Sequence, residues 1–127
     1  MLKAGKYFVG DLCYVVPIEE WSTFIKEIFG EGETVRMGEH EVLGKYFVIA
    51  NTAHGDGQYK TNVKRMLCDV DSGMIGALSV KDMSTEVKKI HRRNIVEFKE
   101  DFTITIENGD IHIGHIIIFK ENLDKFN

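Results

Sequence analysis

Asn108-Gly109 lies between two strictly alternating runs, Phe102-Thr103-Ile104-Thr105-Ile106 and Ile111-His112-Ile113. A two-residue hairpin turn needs positive φ at its centre, which Asn and Gly tolerate. The pattern therefore predicts an antiparallel hairpin. Residues 94–98 predict a further antiparallel strand just before it.

The rest of the chain is read around that hairpin. Lys6 to Val16 mixes β-branched and aromatic residues and predicts a strand broken or bulged at Gly10-Asp11. Pro17 suits the first turn of a helix, where its missing N–H is no loss. Ile18, Trp21, Phe24, Ile25 and Ile28 then follow the three-and-four spacing of one buried stripe, and Gly30 supplies a stop. Residues 31–41 are polar and read as a loop. Val42 to Ala50 predicts a central strand, with Tyr46 and Val48 on one face and Phe47 and Ile49 on the other. Residues 63–70 and 74–80 predict two strands around an Asp71-Ser72-Gly73 turn. Ser84 caps a short second helix over 84–92, with Val87 and Ile90 facing inward. The fold class is α+β: residues 1–127 as a single domain, with a mainly antiparallel, curved sheet of about seven strands, an amphipathic helix over about 17–29 and a second short one.

At 127 residues the chain can bury a core without staples, and a composition 43% hydrophobic and 28% charged is that of a soluble globular protein. No apolar run approaches the length of a membrane span, and Asp11 interrupts the first apolar stretch, so neither a membrane partner nor a signal peptide is expected and the cytoplasm is the expected compartment. A net charge of -4 argues against polymeric nucleic acid as a partner while leaving room for a local basic pocket. Cys13 and Cys68 sit within apolar runs and read as small buried hydrophobes with unreactive thiols.

Three acidic-glycine segments end apolar runs: Gly10-Asp11, Gly55-Asp56-Gly57 and Asp71-Ser72-Gly73. Asp there caps a turn, accepts main-chain hydrogen bonds or ligates a cation. Counting an EF-hand loop from Asp69 places Gly73, Met74 and Val80 at its fifth, sixth and twelfth positions, none of which fits. His112 and His115 point to opposite faces of a strand unless Gly114 is a bulge, and no zinc motif accompanies them. His54 beside Asp56 has the makings of an acid–base pair, against the plainer reading of a loop histidine in solvent. No phosphate-loop or dinucleotide fingerprint is present, and no cofactor is expected.

The segments Tyr7-Phe8-Val9-Gly10-Asp11-Leu12-Cys13-Tyr14-Val15, Thr52-Ala53-His54-Gly55-Asp56-Gly57-Gln58-Tyr59 and Val70-Asp71-Ser72-Gly73-Met74-Ile75-Gly76, with Trp21 between the first two, resemble small uncharacterised proteins of tailed bacteriophages and bacteria. Those have a Gly-Asp-Pro-Cys-Tyr-Val start and a Tyr-Gly-Asp-Gly-x-Tyr middle; here Leu12 replaces the Pro and His54 the Tyr. The resemblance covers residues 7–76 and implies no established activity. Its phage context suggests an accessory protein in the host cytoplasm, by analogy with phage proteins of this size that sequester cyclic nucleotide or cyclic ADP-ribose immune signals.

The residues themselves suit a non-enzymatic binder of a nucleotide-like small molecule. Asp11, His54, Asp56 and Asp71 would line or brace the pocket, Lys60 and Arg65 would supply cations, and Tyr14, Trp21 or Tyr59 would stack. Self-association into a homo-oligomer is an expected way for such a chain to gain buried area. Two other readings stand beside it. One is a metal-dependent phosphodiester hydrolase with the Asp cluster as ligands and His54 as acid–base group; the other is a protein–protein interaction module whose Asp-Gly turns are structural.

Overall fold

The computed structural model describes residues 1–30 and 36–126. Within them ten strands form two antiparallel five-stranded sheets, accompanied by two α-helices. The strands are β1 (Gly5–Gly10), β2 (Gly38–Val42), β3 (Lys45–Asn51), β4 (Gly57–Thr61), β5 (Leu67–Val70), β6 (Met74–Ser79), β7 (Ile95–Phe98), β8 (Ile104–Glu107), β9 (Asp110–Ile113) and β10 (Ile116–Asn122); the helices are α1 (Ile18–Phe29) and α2 (Thr85–Ile90). The first sheet runs β2-β3-β6-β1-β7 and the second β5-β4-β10-β9-β8. The α+β class and antiparallel character follow the sequence pattern. The strands number ten in two sheets, where the sequence predicts about seven.

Alternation explains the layers. Val9, Val48, Ala50, Ile75 and Ala77 project from one face of the first sheet into a cluster shared with Tyr59, Cys68, Ile111, Ile113, Ile116 and Ile118 of the second. From the opposite face of the first sheet, Phe8, Phe47, Ile49 and Leu78 meet Phe24 and Ile28 of α1. The order is therefore helix, sheet, sheet, and the first sheet is buried on both faces, as the two-sided apolarity of residues 46–49 requires. Removing Phe24 and Ile28 from water contributes about 2–3 kcal/mol each. Gly76 makes the close packing of β6 on β3 possible, because a Cβ there would stand 2.1 Å from the Val48 carbonyl oxygen.

Several boundaries differ from expectation for physical reasons. β1 ends at Gly10, and Leu12–Tyr14 forms a single 3-10 turn whose N-cap is Asp11, so the strand does not resume beyond a bulge. Gly30, at φ 59°, closes α1 as expected, its N–H donating to the Lys26 carbonyl at 3.0 Å. Ile18 does not join the buried stripe but is 88% exposed; Val15 and Val16 close that end of the layer instead. Residues 38–41 are the polar edge strand β2 rather than loop, while 31–35 lie outside the described residues. The strand expected over 63–70 begins only at Leu67, because the β4–β5 turn occupies the preceding residues. In α2, Ser84 Oγ accepts from Val87 N–H at 3.2 Å and Val87 packs inward, but Ile90 is exposed; the His91 ring covers Phe8 in its stead.

The Asn-Gly hairpin forms as read, with φ of 53° at Asn108 and 87° at Gly109, and Ile104 and Ile106 pairing with Ile113 and Ile111. Gly114 is a turn residue at φ 56° between β9 and β10, not a bulge.

Candidate functional site

The three acidic-glycine turns meet at one end of the sandwich. Asp11, wholly buried after β1, is the tie. Its Oδ2 accepts from the main-chain N–H groups of Asp71 and Ser72 at 2.8 and 2.7 Å; its Oδ1 accepts from Cys13 N–H at 2.9 Å and from Ser72 Oγ–H at 2.7 Å. Tyr14 donates its hydroxyl to the Asp71 carboxylate. The 52–56 loop joins through Thr52, whose N–H donates to the Gly73 carbonyl at 2.9 Å and whose hydroxyl donates to the Gly55 carbonyl at 2.7 Å. Tyr59, 1% exposed, donates to the same Gly55 carbonyl at 2.8 Å and accepts from His54 N–H at 3.2 Å.

Asn122 completes the assembly from below. It is wholly buried, donates to the carbonyls of His54 and Asp56 at 3.1 and 2.7 Å, and accepts from Asp124 N–H at 3.0 Å. Nothing in the sequence pattern around Asn122 singled it out, because its burial is a property of the fold.

Of the residues read as a pocket, Asp11, Tyr14, His54, Asp56, Tyr59 and Asp71 come together, and Trp21, Lys60 and Arg65 do not. Trp21 packs from α1 against the far face of the first sheet. Lys60 is exposed on β4. Arg65 is exposed at φ 65° in the β4–β5 turn, the opposite end of that hairpin from Gly57, about 13 Å of strand away. Tyr59 is too buried to stack on a ligand, and its ring belongs to the inter-sheet core.

What the turns leave open to solvent is acidic. A shallow cleft of about 390 Å³ is lined by Tyr14, Asp56, Asp69, Asp71 and Asp124. The Asp11 carboxylate cannot contribute to it as a ligand, since four donors already occupy its two oxygens. Among the described residues no three His, Cys, Asp or Glu side chains are disposed to hold a metal ion together. His54 is exposed and forms no side-chain hydrogen bond with Asp56 among those residues. Burial, reinforced by the Asp11 carboxylate, pushes the half-buried Cys13 thiol up to about 12; burial alone is the main cause for Cys68, also at about 12. Both thiols are thus protonated and poor nucleophiles near neutral pH. Burial and then the hydrogen bond to Asp71 hold the Tyr14 phenol well above its ordinary value.

A second concavity lies elsewhere, where the N-terminal segment crosses the first sheet. It measures about 590 Å³, and its walls include Leu2, Tyr7, Tyr46, Ser79 and Val80 together with Lys3, Lys6 and Lys81. Asp82 also borders it. Sequence reading missed this cleft because its residues come from three separated segments, none of which forms a local motif.

No family model matches this chain, and no curated protein or solved structure shows significant similarity to it. The motif resemblance over residues 7–76 therefore rests on its own residues. Among the described residues, no helix is long and apolar enough to cross a membrane.

Proposed function

We propose that this chain is a non-enzymatic binding protein for a small organic ligand, and that the ligand occupies the cleft between the N-terminal segment and the β3–β6–β1 strands. One observation carries this reading: that cleft, at about 590 Å³, has the volume and mixed apolar and cationic lining of a small-molecule site. The Asp-Gly turns act as its counterpart in stability, because their polar groups are spent on one another. Sequestration of a nucleotide-derived immune signal, the role implied by the motif resemblance, is the specific form of this proposal. The geometry gives less support to a metal-dependent hydrolase, since Asp11 is saturated and no carboxylate pairs with the His54 ring among the described residues.

Native mass spectrometry on protein purified from cells that make cyclic nucleotide or cyclic ADP-ribose signals tests the proposal. A chemically intact small molecule retained in a defined stoichiometry supports it. A released ligand that has been cleaved points to the hydrolase, and bare protein from every source points to an interaction module.

A further inference from the structure

This inference rests on the cleft just described as a ligand site and addresses which ligand it takes. The register of the first sheet sets its floor. Tyr7 pairs with Ser79 across β1 and β6, and Phe47 pairs with Leu78 across β3 and β6, which carries Tyr46 to the other side of Ser79. A row Tyr46, Ser79, Tyr7 therefore crosses three adjacent strands on one face. A small side chain stands between two aromatic ones whose strands are about 10 Å apart, two inter-strand spacings.

The two tyrosines differ in freedom. Tyr7 is a fixed wall: its ring packs edge-on against Phe98 and Phe102 at 5.7 and 4.8 Å, and its hydroxyl donates to the Lys3 carbonyl at 2.7 Å. Tyr46 is 59% exposed and unpacked by any aromatic neighbour among the described residues, so its ring face is available. A large aromatic left in solvent beside a cavity is a stacking surface in search of a flat partner.

The charge at the rim is positive. Lys81, in the 3-10 turn Val80–Asp82, is exposed and forms no ion pair among the described residues, whereas Lys6, the strand neighbour of Tyr7, projects from the opposite face of the sheet with Phe8. Lys3 makes only a long contact of 3.4 Å to Asp101, with its side chain 87% exposed. The acids close by are Asp82, at the same rim, and Glu41, opposite Tyr46 on β2. Lys3 and Lys81 beside one opening, in a chain whose net charge is -4, form a local exception that favours an anion.

We infer that the cleft takes an aromatic anion of nucleoside-monophosphate size, its flat ring over Ser79 against Tyr46 and its charged group between Lys3 and Lys81. Lysines serve here as point charges, with no fork geometry to impose, so a phosphate, a cyclic phosphate or a carboxylate satisfies them equally.

The test is calorimetric titration of the full chain with AMP, adenosine and inorganic phosphate as probes, repeated on Lys81→Ala, Lys3→Ala and Tyr46→Ala. All three positions are exposed, so the variants keep the fold, as thermal melting verifies. The expected result is that AMP binds at least tenfold more tightly than either fragment. Each lysine variant weakens AMP by about three- to tenfold and leaves adenosine unchanged, whereas Tyr46→Ala weakens both nucleoside probes. Adenosine binding as tightly as AMP, or AMP binding indifferent to all three substitutions, overturns the assignment. If a small molecule is retained from cells while none of the three probes binds, the ligand class fails and the binding-protein reading survives. If nothing is retained and nothing binds, both fail.

Discussion

The Asp11 carboxylate holds Ser72 twice, accepting from its main-chain N–H at 2.7 Å through one oxygen and from its hydroxyl at 2.7 Å through the other. These residues are 61 positions apart in the chain. A single buried side chain thus locks the exit of β1 to the turn that leads from the second sheet back into the first. The remaining two bonds to Asp11 leave no acceptor capacity idle, which is what allows an ionisable group to stay at zero exposure.

Asp11→Asn tests that lock. The amide replaces one acceptor oxygen with a donor that faces N–H groups, so at least one main-chain donor is left without a partner. The expected loss is about 3 kcal/mol in chemical denaturation, with the fold retained in milder conditions. A loss below about 0.5 kcal/mol argues that the turns hold one another without Asp11.

Asn122→Ala removes both donors that tie the 52–56 loop to β10. The carbonyls of His54 and Asp56 then lose their partners, at a cost of about 2 kcal/mol. Hydrogen exchange of the amides in 52–58 should accelerate well beyond what global destabilisation explains. Equal acceleration throughout the molecule contradicts a local role.

Gly76→Ala tests the close packing of the first sheet. The added methyl meets the Val48 carbonyl oxygen, a backbone atom that moves only if β3 and β6 separate. The expected cost is about 3 kcal/mol or more, read as a large drop in melting temperature or loss of soluble protein. A near-normal melting curve shows that the sheet can part there cheaply.

His91 gives the pH prediction. Its ring lies edge-on to Phe8 at 5.6 Å, and burial lowers its pKa from the usual 6.5. The unfolded chain therefore takes up the proton first as pH falls, and unfolding becomes easier. The fold suffers no penalty above about pH 6.5, loses stability as pH drops below it, and stops losing it once the folded-state pKa is passed. Urea midpoints measured between pH 7.5 and 5 should show this decline in the native chain and a weaker one in His91→Gln. An unchanged slope in the variant assigns the decline to other groups.

The elements legible in the sequence are those whose own residues carry the period. α1 had its stripe at Trp21, Phe24, Ile25 and Ile28, and the β8–β9 hairpin its Asn-Gly turn. The strands that were not legible borrow their place from neighbours. β2 is an edge strand of sequence Gly-Glu-His-Glu-Val with one fully buried residue, and β4 buries only Tyr59. β10 begins with Ile116-Ile117-Ile118-Phe119, an unbroken apolar run that hides its alternation, although Ile116 and Ile118 are buried and Ile117 and Phe119 only half so. Local pattern also cannot say which sheet a strand joins, and the Asp71-Ser72-Gly73 turn connects two strands of different sheets.

The candidate site divides in the same way. Asp and Gly marked three structured turns in the sequence, while their convergence on Asp11 is a product of the fold. The solvent-facing side of the cluster is carboxylate-rich and Lys60 and Arg65 lie away from it, which sequence spacing had no means to reveal. The cleft of Tyr7, Tyr46, Ser79 and Lys81 is created by strand register and by the N-terminal segment that crosses the sheet, since these residues come from three strands and a turn.

The most direct measurement is a two-dimensional ¹H–¹⁵N NMR titration of the full chain with AMP. The account predicts saturable shift changes centred on the amides of Lys3, Tyr46, Ser79 and Lys81, with the amides of Asp11, Asp56 and Asp71 unmoved. Changes centred on the Asp-Gly turns, or none at millimolar AMP, contradict it.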